Sequence, residues 1–129
     1  MDSIAGSAYT LPPCPSSPNC ISSQAPDNRF IAPFPITGEA RAAFSMLRDI
    51  LAKRHDTTIL PAKENMLRVE FKTALGFVDD GLFVLDTEAM VIHLRSASRA
   101  GYWDLGKNRS RMEQIRQEYL KRCPLPLAG

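Results

Sequence analysis

Two periods organise the polar and apolar positions of this chain. Between Ala40 and Leu51, apolar residues recur every three or four positions (Ala40, Ala43, Phe44, Leu47, Ile50, Leu51), with Arg41, Arg48, Asp49 and Lys53 falling outside the stripe. This spacing predicts an amphipathic helix running to about Arg54. Thr37 is the expected N-cap, and Glu39 falls in the first turn, where a carboxylate suits the helix dipole. From Met66 to Thr73 the period drops to two. Leu67, Val69 and Phe71 share one face; Arg68, Glu70 and Lys72 share the other. That is the pattern of a half-buried antiparallel strand with one wet face. Further strand-like runs cover Thr57 to Leu60, Gly81 to Asp86 and Met90 to Ser96, the last two separated by the hairpin-length link Thr87-Glu88-Ala89. Ile92 and Leu94 face one way, His93 and Arg95 the other. A second helix is predicted from about Gly106 to Arg122, with Met112, Ile115 and Tyr119 as its apolar stripe and Pro124 as its stop.

Helix, four strands, helix, with short links, predicts an α+β fold. The expected form is a two-layer sandwich: a four-stranded, mainly antiparallel sheet with both helices on one face. Upstream the periodicity disappears. Seven of the ten prolines lie between Pro12 and Pro35. Each lacks an N–H and fixes φ, which rules out regular helix or a central strand there. The expected organisation is a flexible tail over 1–11, a proline-rich N-terminal arm packed on the domain over 12–36, the core over 37–123 and a short tail over 124–129. The wet face would carry Arg68, Glu70, Lys72, His93 and Arg95, exposed to solvent or covered by the arm.

Composition adds limits. A chain of 129 residues, 44% hydrophobic and 23% charged, is a single globular domain able to bury a core. The net charge of +2 selects no partner, but its distribution is uneven: His93 to Arg122 holds eight Lys/Arg against three Asp/Glu. Such a basic end either attracts anions or is a solvated helix face. No apolar run approaches the roughly 20 residues that span a bilayer. Met1 to Gly6 lacks the basic and apolar regions of a secretory signal. The expected location is therefore cytoplasmic, or an exported or plastid compartment if a targeting segment was removed. Three cysteines are not a disulfide framework, although Cys14 and Cys20 could bridge in an oxidising compartment. His55 and His93 lack zinc-finger spacing, so no metal and no cofactor are expected.

The densest polar signature lies at the predicted strand-to-helix junction: Arg95, Ser96, Ser98 and Arg99, then Asp104, Asn108 and Arg109. Projected back from Met112, Asn108 and Arg109 fall on or beside the inward stripe of the last helix, where polar groups need partners. One reading is a structural clasp, with Arg99 or Arg109 paired to Asp79, Asp80 or Asp104. The other is an anion site in which these cations, hydroxyls and helix N-terminal amides converge on a phosphate or carboxylate. Paired Asp79 and Asp80, His93 as acid or base, or Cys20 as nucleophile would carry an enzyme reading. The phosphate loop, the dinucleotide fingerprint, the zinc-protease helix motif and the Gly-x-Ser-x-Gly elbow are all missing from the sequence. Nucleic acid is not an expected partner, because aromatics are not interleaved with the basic residues.

Three motifs in order complete the sequence picture. Cys14-Pro15-x-Ser17-Pro18-Asn19-Cys20-Ile21-Ser22-Ser23, then Phe77-x-Asp79-Asp80, then Arg95-Ser96-x-Ser98-Arg99-x-Gly101-x-x-Asp104-Leu105-Gly106-x-Asn108-Arg109 resemble domain-of-unknown-function family 1499. Its members are uncharacterised bacterial and plastid-type proteins, some with an N-terminal membrane or export segment. The resemblance spans roughly Pro12 to Arg122 and implies no reaction. The expected function is thus a small non-catalytic module that binds a small anion or a partner protein at the junction. An enzyme of unknown reaction, or a scaffold or assembly factor acting through its arm, are the alternatives.

Overall fold

In the computed structural model the described residues are 9–16, 19–99 and 106–122. Asp104, Gly101, Tyr102, Trp103 and Cys123 lie outside them. The elements in chain order are β1 (Cys20–Ser22), β2 (Phe34–Pro35), α1 (Ala40–Ala52), β3 (Thr57–Leu60), β4 (Met66–Lys72), β5 (Val78–Asp86), β6 (Val91–Ser98) and α2 (Lys107–Arg122). The fold is α+β, with two helices and an antiparallel sheet.

The sheet has six strands, not the four that periodicity predicts. Its order is β1-β6-β5-β4-β3, with β2 also paired to β6. The two extra strands come from the proline-rich arm. Cys20 pairs with Ala97 and Ser22 with Arg95; Phe34 pairs with Ile92 and Pro35 with Val91. Both sit at a sheet edge, where a missing N–H can face away from the ladder, so the proline argument that excluded a central strand does not exclude them. Strand β5 starts three residues earlier than expected: Val78, Asp79 and Asp80 pair with Lys72, Phe71 and Glu70. Two adjacent carboxylates suggest a turn, but both find cationic partners here and the ladder runs through them.

Pleat alternation sorts the side chains. Leu67, Val69, Phe71, Phe83, Leu85, Ile92 and Leu94 join one buried cluster with Ala43, Phe44, Leu47, Ile50 and Leu51 of α1 and Met112, Ile115 and Tyr119 of α2. Ile21, Ile31, Phe34 and Ile36 of the arm complete the same cluster. Burial of side chains this size contributes about 1.5–3 kcal/mol each, which is what holds the arm to the sheet. Tyr119 locks the contact further, donating its hydroxyl to Pro35 O at 2.7 Å.

Helix α1 is capped by Glu39 rather than Thr37. Gly38, at φ +80°, turns the chain, and the Glu39 carboxylate accepts from Arg41 N at 3.0 Å and Ala42 N at 2.8 Å. Gly81 on β5 matters for a different reason. A Cβ there would lie 2.6 Å from Phe71 Cε2 and 2.7 Å from Val69 Cγ2. Its absence lets the Phe71 ring lie across the neighbouring strand, under α2.

Candidate functional site

The junction between β6 and α2 is built by two periodicities meeting. On β6, Ser96 and Ser98 project to the helix side, one pleat apart from Leu94. On α2, Asn108, Arg111, Met112, Ile115 and Tyr119 form the buried stripe. Asn108 and Ser96 are fully buried. Asn108 Oδ1 accepts from the Ser96 hydroxyl, while its Nδ2 donates to Ser98 Oγ at 3.1 Å and to Asn19 O at 3.2 Å. Ser98 N donates to the same Asn19 carbonyl at 3.0 Å. One amide thus ties the last strand, the last helix and the arm together.

One turn further along α2, the Arg111 guanidinium meets Asp79 at 2.9 Å and sits 4.6 Å from the Phe71 ring centre. Both partners of this ion pair are more than nine-tenths buried. Arg111 Nη1 is buried without a hydrogen-bond partner.

The other junction residues disperse. Arg95 lies on the opposite face of β6 from Ser96, because adjacent strand residues alternate. It donates to Pro13 O at 3.1 Å, beside a small cavity of about 150 Å³ shared with Arg68, Asp80 and Leu82. Burial holds its guanidinium pKa below the ordinary value, against the opposing pull of Asp80. Arg99 grips Asp80 through two bonds (3.0 and 2.9 Å) and Glu70 through a third (2.6 Å). The bond to Asp80, then that to Glu70, raises its pKa far above normal. Arg109 donates to Asn28 O at 3.0 Å. The structure therefore brings Ser96, Ser98 and Asn108 together, leaves Arg95 and Arg99 around Asp80 on the opposite face of the sheet, and places Arg109 apart from both groups. Arg111 is the central residue that the sequence reading passed over.

His93 occupies the face shared with Arg95. Its Nε2 is 3.0 Å from Asp86 Oδ2 and its Nδ1 is 3.3 Å from Ser23 Oγ. Ser23 Oγ also accepts from Leu94 N at 3.0 Å. The same Ser23 fastens the arm, with Ser23 N donating to Leu94 O at 2.8 Å. Cys14 and Cys20 form a disulfide with Cα atoms 5.8 Å apart, which closes the arm on itself beside Arg95. Among the described residues, no group of three or more His, Cys, Asp or Glu is placed to hold a metal ion. No helix among them is long and apolar enough to cross a membrane.

A larger opening lies on the other flank of α2. It has a volume of about 540 Å³ and collects residues from three segments at one end of the sheet. Arg54, His55 and Asp56 come from the α1–β3 link; Lys72 and Thr73 from the end of β4; Lys107, Ser110 and Arg111 from the first turns of α2. Arg54 is paired with Asp56 (3.0 and 2.9 Å) and Arg111 with Asp79. Lys72 and Lys107 have no ionic partner among the described residues. No acidic residue occupies the first turn of α2, whose N-terminus adds partial positive charge.

The family model described as "Protein of unknown function (DUF1499)" matches residues 10–119. The chain belongs to that family. Neither a curated protein nor a solved structure matches it. The matched region includes both the buried junction and the open cleft.

Proposed function

We propose that this chain is a small non-catalytic module that binds anions in the cleft between the start of α2 and the ends of β4 and α1. The reading presumes the two-layer arrangement expected from the sequence, with both helices on one side of the sheet and the cleft at its end. The observation that carries it is the Arg111 side chain, which is nine-tenths buried, lines a basic cleft and keeps its Nη1 without an acceptor. A buried donor without a partner costs about 1–3 kcal/mol, so an acceptor that reached it would recover that energy. Lys72 and Lys107 at the mouth supply charge that no described residue of the cleft balances. A phosphate or carboxylate group suits all three, because guanidinium, ammonium and hydroxyl donors all favour anionic oxygen.

Titration with inorganic phosphate, followed by thermal unfolding, tests this. Phosphate is expected to raise the melting temperature in proportion to the logarithm of its concentration, over a chloride control of equal ionic strength. The Lys72→Glu/Lys107→Glu variant should melt like the parent without phosphate and lose the response. A response that survives both charge reversals places the anion elsewhere and defeats the reading.

A second reading has one observation behind it, the Ser23–His93–Asp86 chain, which has the residue types of a hydrolase triad. Its hydroxyl is buried and already accepts the Leu94 amide, so it acts as a pin for the arm rather than as a nucleophile.

A further inference from the structure

We infer that the cleft and the β4–β5 turn beside it form a single membrane-docking surface that takes the phosphate headgroup of an anionic lipid. This rests on the anion-binding reading above and names the source of the anion. The turn begins where the cleft ends: Lys72, Thr73 and Ala74 line the cleft, and Leu75, Gly76 and Phe77 follow. Thr73 N donates to Phe77 O at 2.8 Å, Gly76 N to Thr73 O at 2.9 Å and Phe77 N to Thr73 Oγ1 at 3.0 Å. Gly76, at φ +90°, allows the tight reversal. The loop is thus held in shape by its own bonds while presenting apolar side chains outward. Leu75 is 80% exposed and Phe77 56%. Among the described residues the large exposed hydrophobics are these two and Phe30. Two of the three therefore project from one five-residue turn.

Charge at this end complements that tip. The carboxylates near the turn are already matched: Asp56 by Arg54, Asp79 by Arg111, and Glu70 and Asp80 by Arg99. Among the described residues, the ammonium groups of Lys72 and Lys107 are unmatched. An aqueous partner gives no reason for Leu75 and Phe77 to stand out in water, and a purely apolar partner gives none for the lysines. A bilayer surface satisfies both, because apolar side chains enter the acyl boundary while cations meet anionic headgroups. Insertion of Leu75 and Phe77 would bring Lys72 and the cleft mouth down to headgroup level.

Sedimentation with phosphatidylcholine vesicles, with and without phosphatidylserine, tests the inference on the full chain. The protein is expected to pellet with phosphatidylserine vesicles and to remain in solution with phosphatidylcholine alone. Leu75→Ser/Phe77→Ser should weaken vesicle binding by at least about tenfold. It should leave the melting temperature and the response to inorganic phosphate unchanged. Lys107→Glu should weaken vesicle binding by about fivefold or more and also weaken the phosphate response. Failure to pellet at low ionic strength while phosphate still shifts melting overturns the membrane inference and leaves the anion site standing. Failure of both removes the site itself. Equal binding by the parent and the Leu75/Phe77 variant reduces the contact to surface charge and overturns the docking role of the turn.

Discussion

The two flanks of α2's opening turns use polar side chains to opposite ends. On the inner flank, Ser96, Ser98, Asn108 and the Asn19 carbonyl satisfy one another in a largely buried space. On the outer flank, Lys72 and Lys107 border an open cleft of about 540 Å³ and have no counter-charge among the described residues. The inner flank is the one with the conspicuous sequence signature. Density of polar residues records how many partners a buried place requires, and requirements met from within produce a lock. Surplus shows instead in residues that look ordinary along the chain. Arg111 belongs to both flanks, with one guanidinium edge on Asp79 and one nitrogen unmatched.

Breaking that shared residue should have the largest effect. Arg111→Met leaves Asp79 buried beside Phe71 without its cation, which should cost about 3–5 kcal/mol in urea unfolding. Adding Asp79→Leu should restore much of the loss, since an apolar pair of similar volume often replaces a buried ion pair without penalty. If the single substitution costs less than about 1 kcal/mol, the pair is solvated like a surface bridge and the inner flank is not closed.

Asn108→Ala comes next and sharpens the contrast. It strands two serine hydroxyls and part of the demand on the Asn19 carbonyl, with an expected loss of about 1–3 kcal/mol by chemical denaturation. The phosphate response should nevertheless persist in the folded fraction, because none of those groups lines the cleft. A variant that stays stable but stops responding to phosphate would merge the two flanks into one site.

Much of this frame is legible along the chain. Periods of 3.6 and 2 place Leu47, Leu51, Met112, Ile115, Tyr119, Val69 and Phe71 inside, because burial of one face is what creates those periods. Asn108 is legible as an inward amide by the same projection. The two arm strands are not, since their pairing depends on β6 more than fifty residues away and is invisible to local alternation. Arg95 and Ser96 adjoin in sequence, which groups them in one expected site, yet a strand sends them to opposite faces. Arg111 falls three residues after Asn108 and four before Ile115, squarely on the stripe. A charged residue adds nothing to an apolar period, however, and only the demand of buried Asp79 for a cation could have singled it out. Lys72 and Lys107 carry no signal at all, because their relevance lies in what they lack.

The smallest expected effect sits at the rim of the open flank. Burial pushes the Asp56 carboxyl up, but hydrogen bonds from Arg54 and Thr57, with the charges of Arg54 and Arg111, outweigh it and hold its pKa below the ordinary value. A carboxylate depressed in the folded state stabilises above its unfolded pKa, about 3.9 for Asp, and that contribution fades as pH falls through the lower folded value. Asp56→Asn should therefore cost less than about 1 kcal/mol at neutral pH, as partly exposed pairs do. Urea midpoints of parent and variant should converge under acid conditions below about pH 4. The same variant frees Arg54 and adds a third unmatched cation to the cleft, so its phosphate response should strengthen while its stability falls. If stability and phosphate response move together instead, Arg54 is not facing the anion, and the outer flank draws its charge from Lys72 and Lys107 alone.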